Sequence, residues 1–236
     1  MSMGISRHLA MTAAEMEAVS LPKHWNAAYM ACHFSPYTTG LSNIPDILPP
    51  DSMLILNDRT PICGHDPERI AQQLLQALDA LQFSCVLLDF QRPLQEEIPP
   101  LCRHLIASLP CSVGTSDLYA KDLDCPVFLP PVPPDQSLSE HIAPWKTREL
   151  WLDIAPDAVC YCVTPTGSTC VPCPIPEAPE NAFTDEALHC RYRMELKEEE
   201  VVFQLWRDTV QLEHLMEAAQ SLGITKCIGL YQEYTH

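Results

Sequence analysis

The segment CVLLDF at residues 85–90 constrains the fold more than any other part of this sequence. Its side chains are apolar at successive positions, and only Asp89, near the end of the run, is charged. A strand that is apolar on both faces is typical of a parallel sheet covered by helices, and its carboxyl end meets solvent or a ligand. We therefore predict a buried parallel strand here, with Asp89 near the end that meets solvent or a ligand.

Further apolar runs and helical repeats alternate along the chain. Residues 27–34 and 53–56 predict strands, and residues 67–81 predict a helix because apolar side chains recur there at helical spacing. The later elements are a helix at residues 95–108, strands at 112–115, 127–129 and 149–155, a helix at 210–222 and a closing strand at 227–231. Parallel strands joined by helices predict a single α/β domain over residues 1–236, either an open doubly wound sheet or a closed barrel.

Three segments depart from this alternation. Residues 1–22 predict an N-terminal arm or helix. The interval between the strands at 27–34 and 53–56 is too short for a full helix and strand, so one unit of a barrel would be reduced or missing. Residues 156–182 predict a β-hairpin and a proline-rich excursion inserted in the C-terminal third, followed by paired strands at 188–196 and 201–206.

The charge of the chain excludes several classes of partner. Acidic residues outnumber basic ones 31 to 14, and a net charge of −17 repels nucleic-acid phosphates and anionic lipids. No run of about 18 apolar residues predicts a membrane span, and the first thirty residues lack the pattern of a signal peptide. We therefore predict a cytoplasmic protein with reduced thiols that binds neither nucleic acid nor membrane. The sequence does not indicate a protein partner.

A motif around the first strand discussed above resembles a known signature. Residues 83–93, FSCVLLDFQRP, are similar to the fourth-strand motif of the chitinase-like family 18 glycoside hydrolases. That motif reads aromatic-D-G-hydrophobic-D-hydrophobic-D-W-E, followed shortly by proline. Asp89 falls on its last aspartate, Phe90 on the tryptophan and Pro93 on the proline. The resemblance implies a TIM-like (β/α) barrel and an Asp89 that steers the acetamido group of a sugar.

The catalytic position of the same motif differs in this chain. Gln91 stands where the family carries the glutamate that donates a proton, and Ser84 and Leu87 replace the first two aspartates. A glutamine amide cannot donate that proton, and general acid catalysis contributes roughly 10²–10⁴ in rate. The resemblance therefore implies a degenerate, shortened member that binds a carbohydrate or an N-acetylated glycan with impaired catalysis. Whether it is an enzyme is left open, and if it is active we expect a glycoside hydrolase.

The C-terminal quarter is similar to the same family in its order of elements. Paired strands, a helix, a glycine and a final strand follow one another over residues 188–234. The resemblance implies that Tyr231 is the aromatic residue beneath the bound sugar, with Glu233 beside it and Phe90 as a further ligand contact.

Two alternatives remain open. Asp58 and Asp153 also lie at or in predicted strands, so either residue with Asp89 would form a different hydrolytic pair, because two carboxylates about 5–9 Å apart suffice for glycoside hydrolysis. The second alternative is an interaction or scaffold protein whose barrel mouth is filled by its own side chains.

A cysteine cluster suggests a metal site. Cys160, Cys162, Cys170 and Cys173 flank the predicted hairpin turn, and four thiolates are a common zinc ligand set. The chain uses cysteine freely elsewhere, so the competing interpretation is chance clustering of small apolar residues. Apart from zinc, we predict no cofactor, since glycine-rich nucleotide motifs are absent from the sequence.

Overall fold

The computed structural model describes residues 4–62, 64–92, 95–177 and 181–234. Pro93, which the resemblance aligned with the family proline, lies outside these residues. The described strands are β1 (Ser6–Met11), β2 (Asn26–Phe34), β3 (Leu41–Ser42), β4 (Met53–Asn57), β5 (Cys85–Asp89), β6 (Ser112–Ser116), β7 (Val127–Leu129), β8 (Leu150–Ile154), β9 (Asp157–Thr164), β10 (Gly167–Pro172), β11 (Phe183–Asp185), β12 (Cys190–Leu196), β13 (Val201–Arg207) and β14 (Lys226–Leu230).

The described helices connect most of these strands. They are α1 (Ala13–Ala18), α2 (Pro67–Leu81), α3 (Ile98–Ser108), α4 (Asp117–Ala120), α5 (Leu138–Ile142), α6 (Thr209–Ser221) and α7 (Tyr231–Tyr234), with a 3-10 turn at Ala143–Trp145. Within the described residues, no helix is both long and apolar enough to cross a membrane.

Eight parallel strands form a closed TIM-like barrel. Their order around the barrel is β1, β14, β8, β7, β6, β5, β4 and β2, and β2 pairs with β1 to complete the ring. The predicted barrel is therefore confirmed. The predicted strand at residues 85–90 is β5, which pairs in parallel with β4 and β6.

The expectation for residues 1–22 is wrong in part. Ser6–Met11 is a barrel strand, and only α1 corresponds to the predicted helix. Leu9 and Met11 are buried, and β1 pairs with both β2 and β14. This strand therefore closes the barrel. Its polar residues Arg7 and His8 interrupt the apolar run by which a buried strand is recognised in a sequence.

The reduced unit lies between β2 and β4. Residues 35–52 are all described, and they contain the two-residue strand β3 but no helix. The strand count of the barrel is complete, so the unit has lost its helix and kept its strand. Hydrogen bonding between β2 and β4 closes the wall at this position.

The hairpin insertion is larger than expected. β9 and β10 form the predicted hairpin, but β9 also pairs with β13, so one antiparallel sheet of order β10, β9, β13, β12 and β11 spans residues 157–207. This sheet is inserted between barrel strands β8 and β14. Arg207, at its base, is buried and donates to the backbone oxygens of Val132, Gln136 and Leu188, which ties the sheet to the segment after β7.

Local signals explain where the main helices begin and end. Asp66 caps α2 by accepting a hydrogen bond from the Glu68 amide at 3.1 Å, and Pro67 lies in the first turn. Asp208 caps α6 in the same way. Gly223 follows α6 with a φ of 84°, a left-handed conformation that glycine adopts without strain.

The barrel interior is packed with side chains in its N-terminal half. Trp151 is fully buried there, together with Met53, Leu87 and Phe128. A Cβ atom on Gly114 would lie 2.6 Å from Cζ3 of Trp151, so the indole requires glycine on the facing strand. The packed interior leaves space only toward the carboxyl ends of the strands.

Candidate functional site

A cavity of about 640 Å³ lies at the carboxyl ends of the barrel strands. All eight barrel strands, or the residues directly after them, contribute to its lining. Its polar and charged lining residues are Thr12, His33, Asn43, Asn57, Asp58, Arg59, Asp89, Gln91, Asp117 and Asp153. A cavity of this size at this end of a barrel is the usual location and volume of a ligand site. The expectation of a mouth filled by the protein's own side chains is therefore wrong.

The alternation of side chains along β5 decides which motif residues reach the cavity. Leu87, Asp89 and Gln91 line it, because every second side chain of a strand points to the same face. Phe90 points the other way, is fully buried and packs on Phe34 with ring centroids 5.6 Å apart. The expectation that Phe90 contacts a ligand is corrected, since its ring belongs to the layer between the barrel and its helices.

Asp89 and Gln91 form a hydrogen-bonded pair in the cavity. Nε2 of Gln91 donates to Oδ1 of Asp89 at 2.6 Å. Burial raises the pKa of the Asp89 carboxyl, and the charge of Asp58 raises it further, while the hydrogen bond from Gln91 acts in the opposite direction. The pair therefore presents a hydrogen-bond acceptor and an amide at the position of the aligned motif.

Asp58 holds the backbone that carries this pair. Oδ2 of the buried Asp58 accepts hydrogen bonds from the amides of Gln91 at 3.1 Å and Arg92 at 2.8 Å. Nε of Arg92 donates back to the Asp58 carbonyl at 2.7 Å. Asp58 thus links the end of β4 to the end of β5, which makes it a positioning residue for Gln91.

Asp153 enters the cavity from β8, on the strand that also carries Trp151. Burial, followed by the nearby charges of Asp89 and Glu233, raises its pKa to about 7. A carboxyl group with this pKa holds a proton in part of the molecules at neutral pH, so it can act as an acid or as a hydrogen-bond donor. The structure therefore brings Asp58, Asp89, Gln91 and Asp153 together around one space.

Two predicted ligand contacts lie beside the cavity. Tyr231 is the first residue of α7, and the cavity lining ends one residue earlier, at Leu230. Glu233 lies in the same short helix, where burial raises the pKa of its carboxyl, and its Oε2 atom is buried without a hydrogen-bond partner among the described residues. Glu233 acts on the site through its charge on Asp153.

Cys160 and Cys173 of the predicted zinc site are in hydrogen-bond contact, but the other two cysteines do not join them. Cys170 lies opposite Tyr161 in the β9–β10 pairing, so it occupies the other face of the sheet from Cys160 and Cys162. Sγ of Cys162 donates to Oε2 of Glu200 at 2.9 Å, away from Cys173. In the part of the chain that the structure describes, no group of three or more His, Cys, Asp and Glu side chains is placed to hold a metal ion. This geometry does not support the predicted four-cysteine zinc site.

Asp117 is a cavity residue that the sequence argument missed. It directly follows β6 and begins α4. The signal that selected Asp58, an acid two residues after a predicted strand, applies equally to Asp117 because residues 112–115 predict a strand.

Comparison with solved structures identifies the architecture. The chitinase-like agglutinin RobpsCRA from Robinia pseudoacacia superimposes with a TM-score of 0.63 at 11% sequence identity, over 97% of this chain and 95% of that one. The fold is that of the chitinase-like barrels. A class V chitinase from Nicotiana tobaccum, solved as a glutamate-to-glutamine mutant in complex with NAG4, gives a TM-score of 0.57 at 10% identity, over 98% of this chain and 94% of that one.

The chitinase-like fold also includes a bacterial enzyme. The spore cortex-lytic enzyme SleL from Bacillus cereus matches with a TM-score of 0.56 at 10% identity, over 97% of this chain and 71% of that one. No family model and no curated protein matches the sequence. The likeness to chitinase-like barrels is therefore one of structure.

Proposed function

We propose that this chitinase-like barrel binds a carbohydrate, such as an N-acetylated glycan, at the mouth near Asp89 and Gln91, and that its catalysis is impaired. The observation that carries the proposal is the pairing of Asp89 and Gln91 at 2.6 Å inside a cavity of about 640 Å³. Gln91 lines this cavity in the position that the resemblance assigns to the proton-donating glutamate. An amide there donates hydrogen bonds but no proton.

The solved structures support a glycan as the ligand class. The tobacco chitinase is in complex with NAG4 although one of its glutamates is replaced by glutamine, and RobpsCRA is a chitinase-like agglutinin. Loss of one carboxyl group and retention of sugar binding are thus compatible in such a barrel. The cavity of this chain has the volume for small ligands, in the range of roughly 300–1,000 Å³.

Thermal unfolding with a panel of chito-oligosaccharides and peptidoglycan fragments tests the proposal. A ligand at about 100 times its Kd stabilises the folded state by about 2.7 kcal/mol, which raises the Tm of a domain of this size by several degrees. We expect the Asp89→Ala variant to lose the ligand-induced shift. The matched control is Asp79→Ala, which removes an exposed carboxylate from α2 and should keep the shift. Absence of a shift with every glycan would contradict the proposal and favour an interaction protein.

A second function is favoured by one observation, the pKa of about 7 at Asp153. A proton on Asp153 would allow this residue to serve as the general acid of an active glycoside hydrolase, with Asp89 as the second carboxylate. Release of reducing ends from chito-oligosaccharides would then be lost in Asp153→Asn and would decline as the pH rises above about 7, because the acid loses its proton. No release from the wild-type protein between pH 5 and 8 would exclude this alternative.

A further inference from the structure

The inserted sheet has one face whose outer part carries no charged side chain. The pairing registers of β9–β13 place thirteen residues on this face in three rows, and we call this set the open face. Its members are Val159, Tyr161, Val163, Ser168, Cys170, Pro172, Phe183, Tyr192, Met194, Leu196, Val201, Phe203 and Leu205. The rings of Phe183 and Tyr192 pack with centroids 5.5 Å apart, as expected for neighbours on one face. The sheet therefore presents a continuous and mostly apolar surface.

The opposite face of the same sheet is built differently. Nε of Arg193 donates to Oε1 of Gln204 at 2.8 Å, and the fully buried indole of Trp206 lies 5.6 Å from the guanidinium carbon of Arg191. The segment after β10 packs on this side, since Nε2 of Gln204 donates to the Pro174 carbonyl at 3.0 Å. The charged side chains and the chain's own cover are thus on the face opposite the open face.

The open face is accessible to solvent in every row. None of its thirteen residues is buried, and Leu196 is 72% exposed, Phe183 59% and Met194 51%. The apolar face of a sheet normally packs against another layer, which removes it from water. A contiguous apolar patch that stays exposed marks an interaction site in a soluble protein. The open face therefore lacks the layer that such a face requires.

The composition of the open face restricts its partner. It offers no charge to an ionic partner, and the net charge of −17 on the chain repels anionic lipids and nucleic acids. Its polar side chains are those of Tyr161, Ser168, Cys170 and Tyr192, and the Tyr161 hydroxyl already donates to Asp135. This is a poor set of donors and acceptors for a sugar. The surface that fits is another uncharged apolar sheet face, and a second copy of this chain supplies one.

The size of the open face determines the strength of such a contact. A standard interface buries about 800 Å² per partner over about 20–30 residues, so thirteen residues correspond to roughly 350–500 Å². Two copies together would bury roughly 700–1,000 Å². This is the range of weak, reversible complexes and lies below that of permanent dimers.

We propose that the open face is the interface of a reversible homodimer in which the inserted sheets of two copies pack face to face. The contact is isologous, since each copy contributes the same face about a twofold axis. Two sheets packed in this way lie about 10 Å apart with their side chains interdigitated, as in a β-sandwich. The proposal does not depend on glycan binding at the barrel mouth.

Sedimentation velocity of the purified chain from about 1 to 300 µM tests the proposal. The monomer has a mass of 26.5 kDa, and we expect the weight-average mass to rise toward twice this value across the series. A rise from about 50 to 500 mM NaCl should favour the dimer, because salt screens the repulsion between two chains of charge −17. A mass that remains that of the monomer, or a dimer that dissociates in salt, would overturn the proposal.

Two double variants place the same charge on the two faces of the sheet. Met194→Lys with Leu196→Lys puts two lysines on the open face of each copy, at positions that are more than half exposed and so should not disturb the fold. We expect the Kd of its dimer to rise at least about tenfold, because burial of the lysines is unfavourable. Thr169→Lys with Val171→Lys adds the same charge to the opposite face and should dimerise like the wild type.

Circular dichroism and the Tm establish that each variant is folded. Leu196→Lys alone, at the most exposed apolar position of the open face, replaces the double variant if that variant unfolds. Dimerisation that survives in the folded open-face variant would place the contact elsewhere and overturn the proposal. An equal loss in the opposite-face control would overturn it as well, since the effect would then come from charge alone.

Discussion

The two halves of the barrel interior are built on opposite principles. In the N-terminal half, Trp151 fills the space against Gly114, and the ζ nitrogen of Lys226 lies 4.9 Å from the centroid of the indole ring. In the C-terminal half, four carboxylates surround a cavity of about 640 Å³. One half is optimised for packing and the other tolerates repulsion between like charges, which is the distribution expected when only one end of a barrel carries function.

The largest expected effect is in the packed half. Trp151→Ala should destabilise the protein by about 3–5 kcal/mol, because it removes a fully buried aromatic side chain and leaves a cavity. Urea unfolding measures this change. Trp145→Ala, at a partly buried indole outside the barrel interior, is the control and should cost less. Equal losses of unfolding free energy in the two variants would show that the packed half of the barrel is no more sensitive to truncation than the region outside it.

In the open half, removal of a charge should stabilise the protein. The pKa of Asp153 is raised to about 7, so the unfolded chain holds fewer protons than the folded one between about pH 4 and 7, and stability falls as the pH rises through this window. Asp153→Asn should therefore add up to about 4 kcal/mol at pH 8 and almost nothing at pH 4. Unfolding across this pH range measures the difference, and a pH-independent gain would contradict the shifted pKa.

A smaller effect is expected at Gln91. Gln91→Glu replaces the donor to Asp89 by a second carboxyl group and should cost about 1 kcal/mol at pH 8, with recovery at pH 5, where one proton can be shared. Gln232→Glu is a matched control, because Nε2 of Gln232 donates to Oε1 of Glu15 at 2.8 Å on the exposed surface. A loss of stability in Gln232→Glu as large as that in Gln91→Glu would show that the position of Gln91 in the cavity does not matter.

The same Gln91→Glu variant tests whether a glutamate at this position is the group that catalysis lacks. If the resemblance identifies the catalytic position correctly, hydrolysis of chito-oligosaccharides should rise by roughly 10²–10⁴ over the wild-type rate. Reducing-end release measures it. An unchanged rate in a folded variant would mean that more than this one side chain separates the chain from an active hydrolase.

The smallest effect is expected outside the barrel. A chelator in excess should leave the Tm unchanged, because Cys170 lies on the opposite sheet face from Cys160 and Cys162. Differential scanning fluorimetry with and without the chelator and added Zn²⁺ is sufficient. A fall of several degrees on chelation would restore the zinc hypothesis.

Many helices and strands of the fold could be predicted from the sequence, because the spacing of apolar residues within each segment agrees with the structure that the segment forms. Residues 67–81 form α2 as predicted, and residues 53–56 and 85–90 correspond to β4 and β5. β1 was missed since its barrel-facing His8 breaks the apolar run, and burial of His8 is a tertiary effect that lowers its pKa to about 4. The joining of β9 to β13 is likewise a contact between distant residues, which no local pattern encodes.

The candidate site was predictable where it follows from strand alternation. Asp89 and Gln91 are two residues apart and share a face, and the same rule applied to Phe90 would have placed its ring outside the barrel. The positioning role of Asp58 was not predictable, because it depends on backbone amides 33 and 34 residues further along the chain. The raised pKa of Asp153 could not be predicted either, because it arises from burial and from charges on two other elements.

The helix missing between β2 and β4 has a practical consequence for engineering. The barrel wall closes there through pairing of β2 with β4, and the connection between them leaves Tyr37 with 92% of its surface exposed. Foreign peptide inserted at such a loop tip need not displace a packed helix. Because this loop leaves β2 at the end that carries His33 of the cavity lining, an insert at Tyr37 would be displayed beside the mouth of the barrel.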